Sequence, residues 1–293
     1  GVCLLAFILL MYGQSVKSKK KQEKISGELA DALKKAEEAT AAKQNFFSKM
    51  SHDIRTPLNV VLGMTQLAQK YKEDSDKLDH ALGNIATEGN YLLVLINSIL
   101  DVNQLENGTI ELAEEPFNPA DCLTESVDIL RPLAGKREQQ ITVTCDQTDR
   151  VVVGDVNRLK QILINIMSNA IKYTNINGHI DLKLECLPDN KYRFTCKDDG
   201  IGMTEEFRQH ICEDYARAED SRVSKTQGTG LGMSVVKGFT DRMGGELKIE
   251  SELGKGSTFI VEIPFPDASE EQRAMILAQA AASENEKPEF AGR

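Results

Sequence analysis

Ser51-His52-Asp53-Ile54-Arg55-Thr56-Pro57-Leu58-Asn59 puts a histidine and a proline inside one helical pattern. From Ile25 the positions Leu29, Ala32, Ala36, Ala39, Lys43, Phe46 and Met50 step by four and three, and the stripe continues through Asp53, Pro57, Val60, Met64, Leu67 and Tyr71. This is the heptad seam of a long helix with one apolar edge. Lys43, Asp53 and Pro57 interrupt the seam, the last two close to His52. Proline inside a helix costs roughly 3 kcal/mol, so its presence points to function. His52 falls between seam positions, on the solvent side, and Arg55, Thr56 and Asn59 share its face. Asp53 points about 100° away around the helix and reaches the ring only by leaning. A lone exposed histidine ordinarily means nothing; its surroundings single this one out.

After a polar break from Tyr71 to Asp76, a second seam runs through Leu78, Leu82, Ile85, Gly89, Leu92, Ile96 and Ile99 and ends near Asn107-Gly108. Two long helices make an antiparallel hairpin. One hairpin cannot cover both stripes, so the economical solution is a homodimer whose hairpins form a four-helix bundle. Upstream, every residue from Val2 to Tyr12 is apolar, and Lys17, Lys19, Lys20, Lys21 and Lys24 follow. A signal peptide carries its charge before the apolar run. As a helix the run rises about 18 Å against a hydrocarbon core of about 30 Å. The expectation is a fragment that begins inside a membrane helix, with the lysines on the cytoplasmic side. A buried core helix is the alternative, and it leaves the lysines unexplained.

The 293 residues, 41% hydrophobic and 27% charged, can bury a sizeable core and suggest roughly two domains. Collagen, low-complexity disorder and polytopic membrane proteins are excluded. Lys plus Arg is 35 and Asp plus Glu 45, a net charge of −10, the wrong sign for nucleic acid held by bulk charge. Cys3, Cys122, Cys145, Cys186, Cys196 and Cys212 lack short metal-ligand spacing and read as reduced thiols.

Beyond Gly108 short β-rich runs alternate with helical ones: Ile141 to Cys145, Val151 to Val153, Ile180 to Cys186, Tyr192 to Cys196, Glu246 to Glu250 and Thr258 to Ile263. The pattern predicts an α/β two-layer sandwich, a sheet covered on one face. Asp155 can N-cap a helix from Val156 to Tyr173. On it Asn165, Asn169, Lys172 and Tyr173 form one polar stripe. A solvated face would favour glutamate and lysine, whereas asparagine is a poor helix former. Asparagine amides can supply oxygen to Mg²⁺, leaving Lys172 for phosphate.

Two glycine clusters follow. Asp198-Asp199-Gly200-Ile201-Gly202 comes off a strand, and Gly228-Thr229-Gly230-Leu231-Gly232 opens the helix that runs to about Met243. Glycine lets backbone approach a ligand, and a helix N-terminus suits an anion. Neither cluster is a dinucleotide fingerprint, and Gly254-Lys255-Gly256-Ser257 fails as a phosphate loop because glycine follows the lysine. Met203 to Gln227 is charged and too long for a mere connector, which suggests a lid.

Together these residues resemble the sensor histidine kinases, over about Phe46 to Phe265. The likeness rests on Phe47 to Leu58, on Asn165-Ile166-Met167-Ser168-Asn169-Ala170-Ile171-Lys172-Tyr173, on Asp198-x-Gly200-x-Gly202 and on the second glycine cluster. The resemblance implies a dimerisation and phosphoacceptor hairpin followed by a Bergerat-type ATPase domain of the gyrase and heat-shock chaperone superfamily. By that resemblance His52 is the phosphorylated histidine, Asp53 its base and Thr56 a helper of dephosphorylation, while Asn169 holds Mg²⁺. Asn165, Lys172, Tyr173, Arg217, Gly228, Thr229, Gly230, Leu231, Gly232 and Thr258 then contact ATP, with Asp198, Gly200 and Gly202 around the adenine. In the lid the chain departs from the family, with Cys212 and Asp214 at positions commonly Phe and Pro, although Tyr215 keeps an aromatic.

The implied map is a membrane-helix end at 1–12, a juxtamembrane linker at 13–45, the phosphoacceptor domain at 46–107, the ATP-binding domain at 108–266 and a tail at 267–293. Glu106-Asn107-Gly108 would be a hinge between the two domains. The implied partners are a response regulator receiver domain, in trans or fused after the tail, and a bacterial cytoplasmic membrane with this region facing the cytoplasm. Imidazole, with a pKa of about 6.5, is mostly free to attack at neutral pH. Phosphoryl transfer then needs mainly positioning and charge neutralisation. Two rivals remain. An ATP-driven conformational machine needs a glutamate base where this chain has Asn165. A pseudokinase scaffold should show eroded motifs, and only the lid does.

Overall fold

The computed structural model describes residues 2–213 and 230–285, with the side chains of Val2 to Tyr12 and some others near both ends excepted. The expectations for Asp214, Tyr215, Arg217, Gly228 and Thr229, for the thiol of Cys3 and for the apolar character of Val2 to Tyr12 lie outside the described residues. The chain divides into two units, Gly1–Leu92 and Leu93–Arg293.

In the first unit α1 (Val2–Lys70) is one helix of 69 residues, unbroken at 12 or 45. Pro57 sits buried within it, so the Asp53 carbonyl lacks its usual helical donor. Asp53, Val60 and Met64 are half-buried, whereas His52, Arg55, Thr56 and Asn59 are exposed, as the seam predicts. The turn from Tyr71 to Asp74 leads into α2 (Ser75–Glu106), whose first turn is capped by Asp74 Oδ1 accepting from the Lys77 amide at 3.3 Å. On α2 the predicted Leu78, Ile85, Gly89, Leu92 and Ile99 are half-buried, whereas at Leu82 and Ile96 the inward position falls one residue earlier, at Ala81 and Leu95. Ala81 is buried and Leu82 is 49% exposed. Leu58 (44%), Leu62 (55%) and Leu67 (41%) are also exposed, more apolar surface than a finished hairpin needs. Among the described residues Ser75–Leu105 is the one stretch long and apolar enough to cross a membrane by length and composition.

The second unit carries a five-stranded sheet. It is built from β2 (Gln140–Cys145), β4 (His179–Leu187), β5 (Lys191–Asp198), β6 (Glu246–Glu252) and β7 (Gly256–Pro264), in the order β2-β4-β5-β7-β6. The β2–β4 pair is parallel and the rest antiparallel. A small ladder pairs β1 (Glu115–Phe117) with β3 (Val152–Gly154). On one face lie α3 (Pro119–Gly135), α4 (Val156–Tyr173) and α6 (Gly232–Arg242); α5 (Glu205–His210) precedes α6 and α7 (Glu270–Asn285) ends the described chain. The strands match expectation to within two residues. Unplaced by sequence were β1, which is three residues long, and α3, whose periodicity is broken by Pro132 and whose start is fixed by Asn118 Oδ1 accepting from Ala120 N at 2.8 Å.

Asp155 caps α4 as predicted: Oδ1 accepts from Arg158 N at 2.9 Å, and Oδ2 takes the amide of Ala113 at 3.0 Å. From that fixed start α4 turns Leu159, Ile162, Leu163, Ile166 and Met167 into the core, with Ile180, Leu182, Phe194, Val261 and Ile263 of the sheet. Each such side chain contributes about 1.5–3 kcal/mol on burial. The opposite edge of α4 is thereby left to its polar stripe.

The end of α2 belongs to this unit. Buried Asp101 accepts from Arg158 Nη1 at 2.9 Å and from Gln161 Nε2 at 2.5 Å, and the guanidinium of Arg158 lies 4.7 Å from the centroid of Phe239. Leu105 lies against Gly238, where a Cβ would come within 2.6 Å of it. Arg242 donates to the carbonyls of Ile110 (3.0 Å) and Gly108 (3.4 Å). Glu106-Asn107-Gly108, read from sequence as a free hinge, is therefore fastened on both sides. None of the five described cysteines is in a disulfide, and burial pushes the Cys122 thiol up to about 12, away from the reactive thiolate.

Candidate functional site

On α1, His52 stands in solvent with its side chain 79% exposed. Asp53 does lean: its Oδ1 lies 3.3 Å from His52 Nδ1, a long hydrogen bond. That contact favours the tautomer with the proton on Nδ1 and leaves the Nε2 lone pair facing outward, without a partner among the described residues. One turn on, the Thr56 hydroxyl donates to the His52 carbonyl at 3.1 Å, which fixes its rotamer and leaves its oxygen able to accept.

In the second unit, Asn165, Asn169, Lys172 and Tyr173 line the half-buried edge of α4. The Lys172 ammonium lies 4.8 Å from the Tyr173 ring centroid. No hydrogen bond or ion pair to the side-chain amides of Asn165 or Asn169, or to that ammonium, occurs among the described residues. Groups so placed are free to bind something else. The N-terminus of α6 lies beside them, since a Cβ at Gly232 would sit 3.4 Å from Asn165 Oδ1. Buried Leu231 and half-buried Gly230 precede that start.

At the other end of the stripe, Asp198 closes β5 at 5% exposure. Its Oδ1 accepts from the Gly200 amide at 2.9 Å and the Ser257 amide at 3.3 Å. Burial pushes the carboxyl above the usual carboxylate range, those two amides pull it back, and Asp199 adds a smaller upward push. Gly200 passes so close to α4 that a Cβ would come within 2.5 Å of the Tyr173 carbonyl. Gly202 has φ +63°, in the left-handed region that favours glycine. Asn169, Lys172, Tyr173, Asp198, Gly200 and Gly202 thus share one end of the sandwich.

Thr258 does not join them. It pairs with Lys197 and Glu250, on the sheet face turned away from α4, and the residue beside Asp198 is Ser257. Strand neighbours point to opposite faces, so a one-residue error changes the face. No cluster of three or more His, Cys, Asp or Glu able to hold a metal occurs among the described residues. A cation here would be held by amide oxygen and ligand phosphates, a donor set that suits Mg²⁺.

The chain matches two protein families: the His Kinase A (phospho-acceptor) domain over residues 42–108, and the histidine kinase-, DNA gyrase B- and HSP90-like ATPase over residues 154–267. The sensor protein GacS of Pseudomonas syringae pv. syringae is 36% identical over 253 residues, covering 85% of this chain and 28% of that protein. The chain thus spans less than a third of that relative. Full-length ShkA crystallised with AMPPNP is similar at 30% identity and a TM-score of 0.59, over 76% of this chain and 46% of that one. The histidine kinase ThkA, crystallised with the response regulator protein TrrA, matches at 26% identity and a TM-score of 0.52, over 74% and 60%. A phosphoacceptor hairpin followed by this ATPase sandwich, with the histidine, asparagine and glycine motifs in order, makes the chain a member of the sensor histidine kinases.

Proposed function

We propose that this chain moves the γ-phosphoryl group of ATP to His52 and from there to an aspartate on a response regulator receiver domain. The observation that carries this reading is the half-buried stripe on α4, whose two amides and ammonium have no hydrogen-bond or ion-pair partner among the described residues.

His52 attacks phosphorus through Nε2, the new N–P bond forms, and the bond from phosphorus to the ADP oxygen breaks. Asp53, with its Oδ1 at Nδ1, is the base: it takes up the Nδ1 proton as positive charge develops on the ring. Asp198 accepts from the adenine amino group, Gly200 and Gly202 let the purine approach, and Lys172, Tyr173 and Arg217 contact the nucleotide. The phosphates lie at Gly228, Thr229, Gly230, Leu231 and Gly232, where the start of α6 favours negative charge. Mg²⁺, when bound, neutralises phosphate oxygens, and Asn169 with Asn165 beside it would hold it. Asn165 stands where a hydrolytic ATPase needs a carboxylate base, so the phosphoryl group is kept for the histidine.

The exposed Leu58, Leu62, Leu67 and Leu82 support a homodimer closed as a four-helix bundle. The apolar run and lysines at the start support attachment to a bacterial cytoplasmic membrane. A phosphatase activity toward the regulator would use Thr56.

Incubation with γ-labelled ATP should give acid-labile, base-stable label. Absence of such label, with ADP still bound, would leave a nucleotide-binding scaffold. Asn169→Ala should weaken binding of Mg·ATP by more than about 1 kcal/mol, the net worth of one hydrogen bond. An unchanged calorimetric affinity would remove Asn169 from the metal.

A further inference from the structure

The last turn of α4 carries Lys172 and Tyr173, and the carbonyls at such an end have no partner within the helix. A residue distant in sequence supplies one. Gln139, 8% exposed, donates from Nε2 to the carbonyls of Ile171 (3.0 Å), Thr174 (2.9 Å) and Asn175 (3.2 Å). Arg137 Nη2 adds a bond to the Thr174 carbonyl at 3.0 Å. Backbone bonds complete the grip, from Asn177 N to Arg137 O (3.2 Å) and from Gln140 N to Gly178 O (3.0 Å).

The same exit loop is held from its other side by the Asp198 turn. Ile201 N donates to Tyr173 O at 3.2 Å, and His179 exchanges bonds with Asp199 through both its amide and its carbonyl. Gly200 rests on the Tyr173 carbonyl. Whatever fixes the end of α4 therefore fixes where Asp198 and Gly200 stand relative to Tyr173 and Lys172.

The chemistry of Gln139 argues against simple filler. Its Oε1 is buried without a partner among the described residues. An apolar side chain could fill the slot without leaving that oxygen unpaired, an arrangement that is unfavourable in a buried position. What an apolar side chain cannot supply is donors for three convergent carbonyls.

We propose that Gln139, assisted by Arg137, is a positioning residue that sets nucleotide affinity through the end of α4 and the Asp198 turn. The proposal rests on the reading of this pocket as the ATP site.

Gln139→Met keeps length and removes both donors, while Gln139→Glu sets a carboxylate against three carbonyls. In the full chain, Gln139→Met should raise the ATP concentration for half-maximal labelling, and the calorimetric Kd for ADP with Mg²⁺, by roughly three- to tenfold. The maximal labelling rate should stay within about twofold. Gln139→Glu should move the same quantities further. Should Gln139→Met fail to fold, Arg137→Lys tests the same route, with a smaller rise in the same direction. A lowered Tm with unchanged ATP dependence would make these residues structural and overturn the proposal. The wild-type protein separates the two failures. If it binds no ADP, the ATP-site reading falls; if it binds ADP and neither variant shifts affinity, only this inference does.

Discussion

The two functional regions are built on opposite plans. His52 stands exposed on one helix, and everything that shapes it lies within five residues: Asp53 at Nδ1, Thr56 on its carbonyl, Pro57 behind. The proposed nucleotide pocket draws on α4, the turn after β5, the start of α6 and the start of β7, and Asp198 is held by amides two and 59 residues away. A nucleophile must be reachable by two different partners, so its surroundings are local and wet. A pocket that selects a nucleotide must be rigid, so its supports are distant and buried.

Breaking the exposed region should give the largest single effect. His52→Ala removes the attacking nitrogen but no seam contact, so label from ATP should vanish while ADP affinity and dimerisation hold. Label that persists would move the acceptor to His80, His179 or His210, and the comparison would then rest on the wrong residue.

That contrast also decides what could be read in advance. Much that is local was legible: the α1 seam, the shared face of His52 and Thr56, the Asp155 cap, the polar stripe on α4 and six strands, although the short β1 and the Asn118 cap of α3 were not. Other unread parts depend on partners far along the chain. Nothing near Gln139 announces that it caps a helix ending more than thirty residues later. Nothing near Asp101 announces Arg158, 57 residues on, so the segment after it read as a free hinge. The resemblance puts Thr258 at the nucleotide, and β-pattern alone does not say that Ser257, one residue earlier, is the one on the Asp198 face.

In the buried region the largest expected effect is at Asp198. Its folded-state carboxyl lies above the ordinary value because burial disfavours the charge. The stability linked to that raised value is complete below the ordinary carboxylate pKa and is lost as pH rises through the folded one. Above the ordinary carboxylate pKa the buried acid is therefore a cost, and at neutral pH Asp198→Asn, which keeps an oxygen for Gly200 and Ser257, should raise Tm. The gain should disappear in acid. The same change presents an NH₂ to the adenine amino group and should weaken ADP roughly ten- to a hundredfold. A variant that lost both stability and binding would show that the carboxylate is held for the fold.

A smaller effect tests whether the end of α2 belongs to the ATPase unit. Asp101→Ala leaves the Gln161 amide without its acceptor and the Arg158 guanidinium with Gln161 Oε1 but no carboxylate, at a cost of about 2 kcal/mol. Asp128→Ala removes an exposed pair with Arg131 and should cost no more than about 0.5 kcal/mol. Urea unfolding of both variants compares them. Equal effects would mean that α2 is not fastened there.

Thr56→Ala should have the smallest effect on the fold and the most selective effect on function. Alanine is the better helix former, and the lost bond to the His52 carbonyl is exposed, so unfolding should shift by only a few tenths of a kcal/mol. The hydroxyl has no part in the forward attack, because it bonds the His52 carbonyl and not the ring. It is placed to orient a water against a phosphoryl group brought to the same face of α1. Initial label on His52 should therefore be kept, while decay of a phosphorylated receiver domain supplied in trans with ADP should slow. If both rates fall together, Thr56 serves the helix alone. If neither falls, dephosphorylation lies elsewhere, and this exposed region presents a nucleophile without also presenting a water.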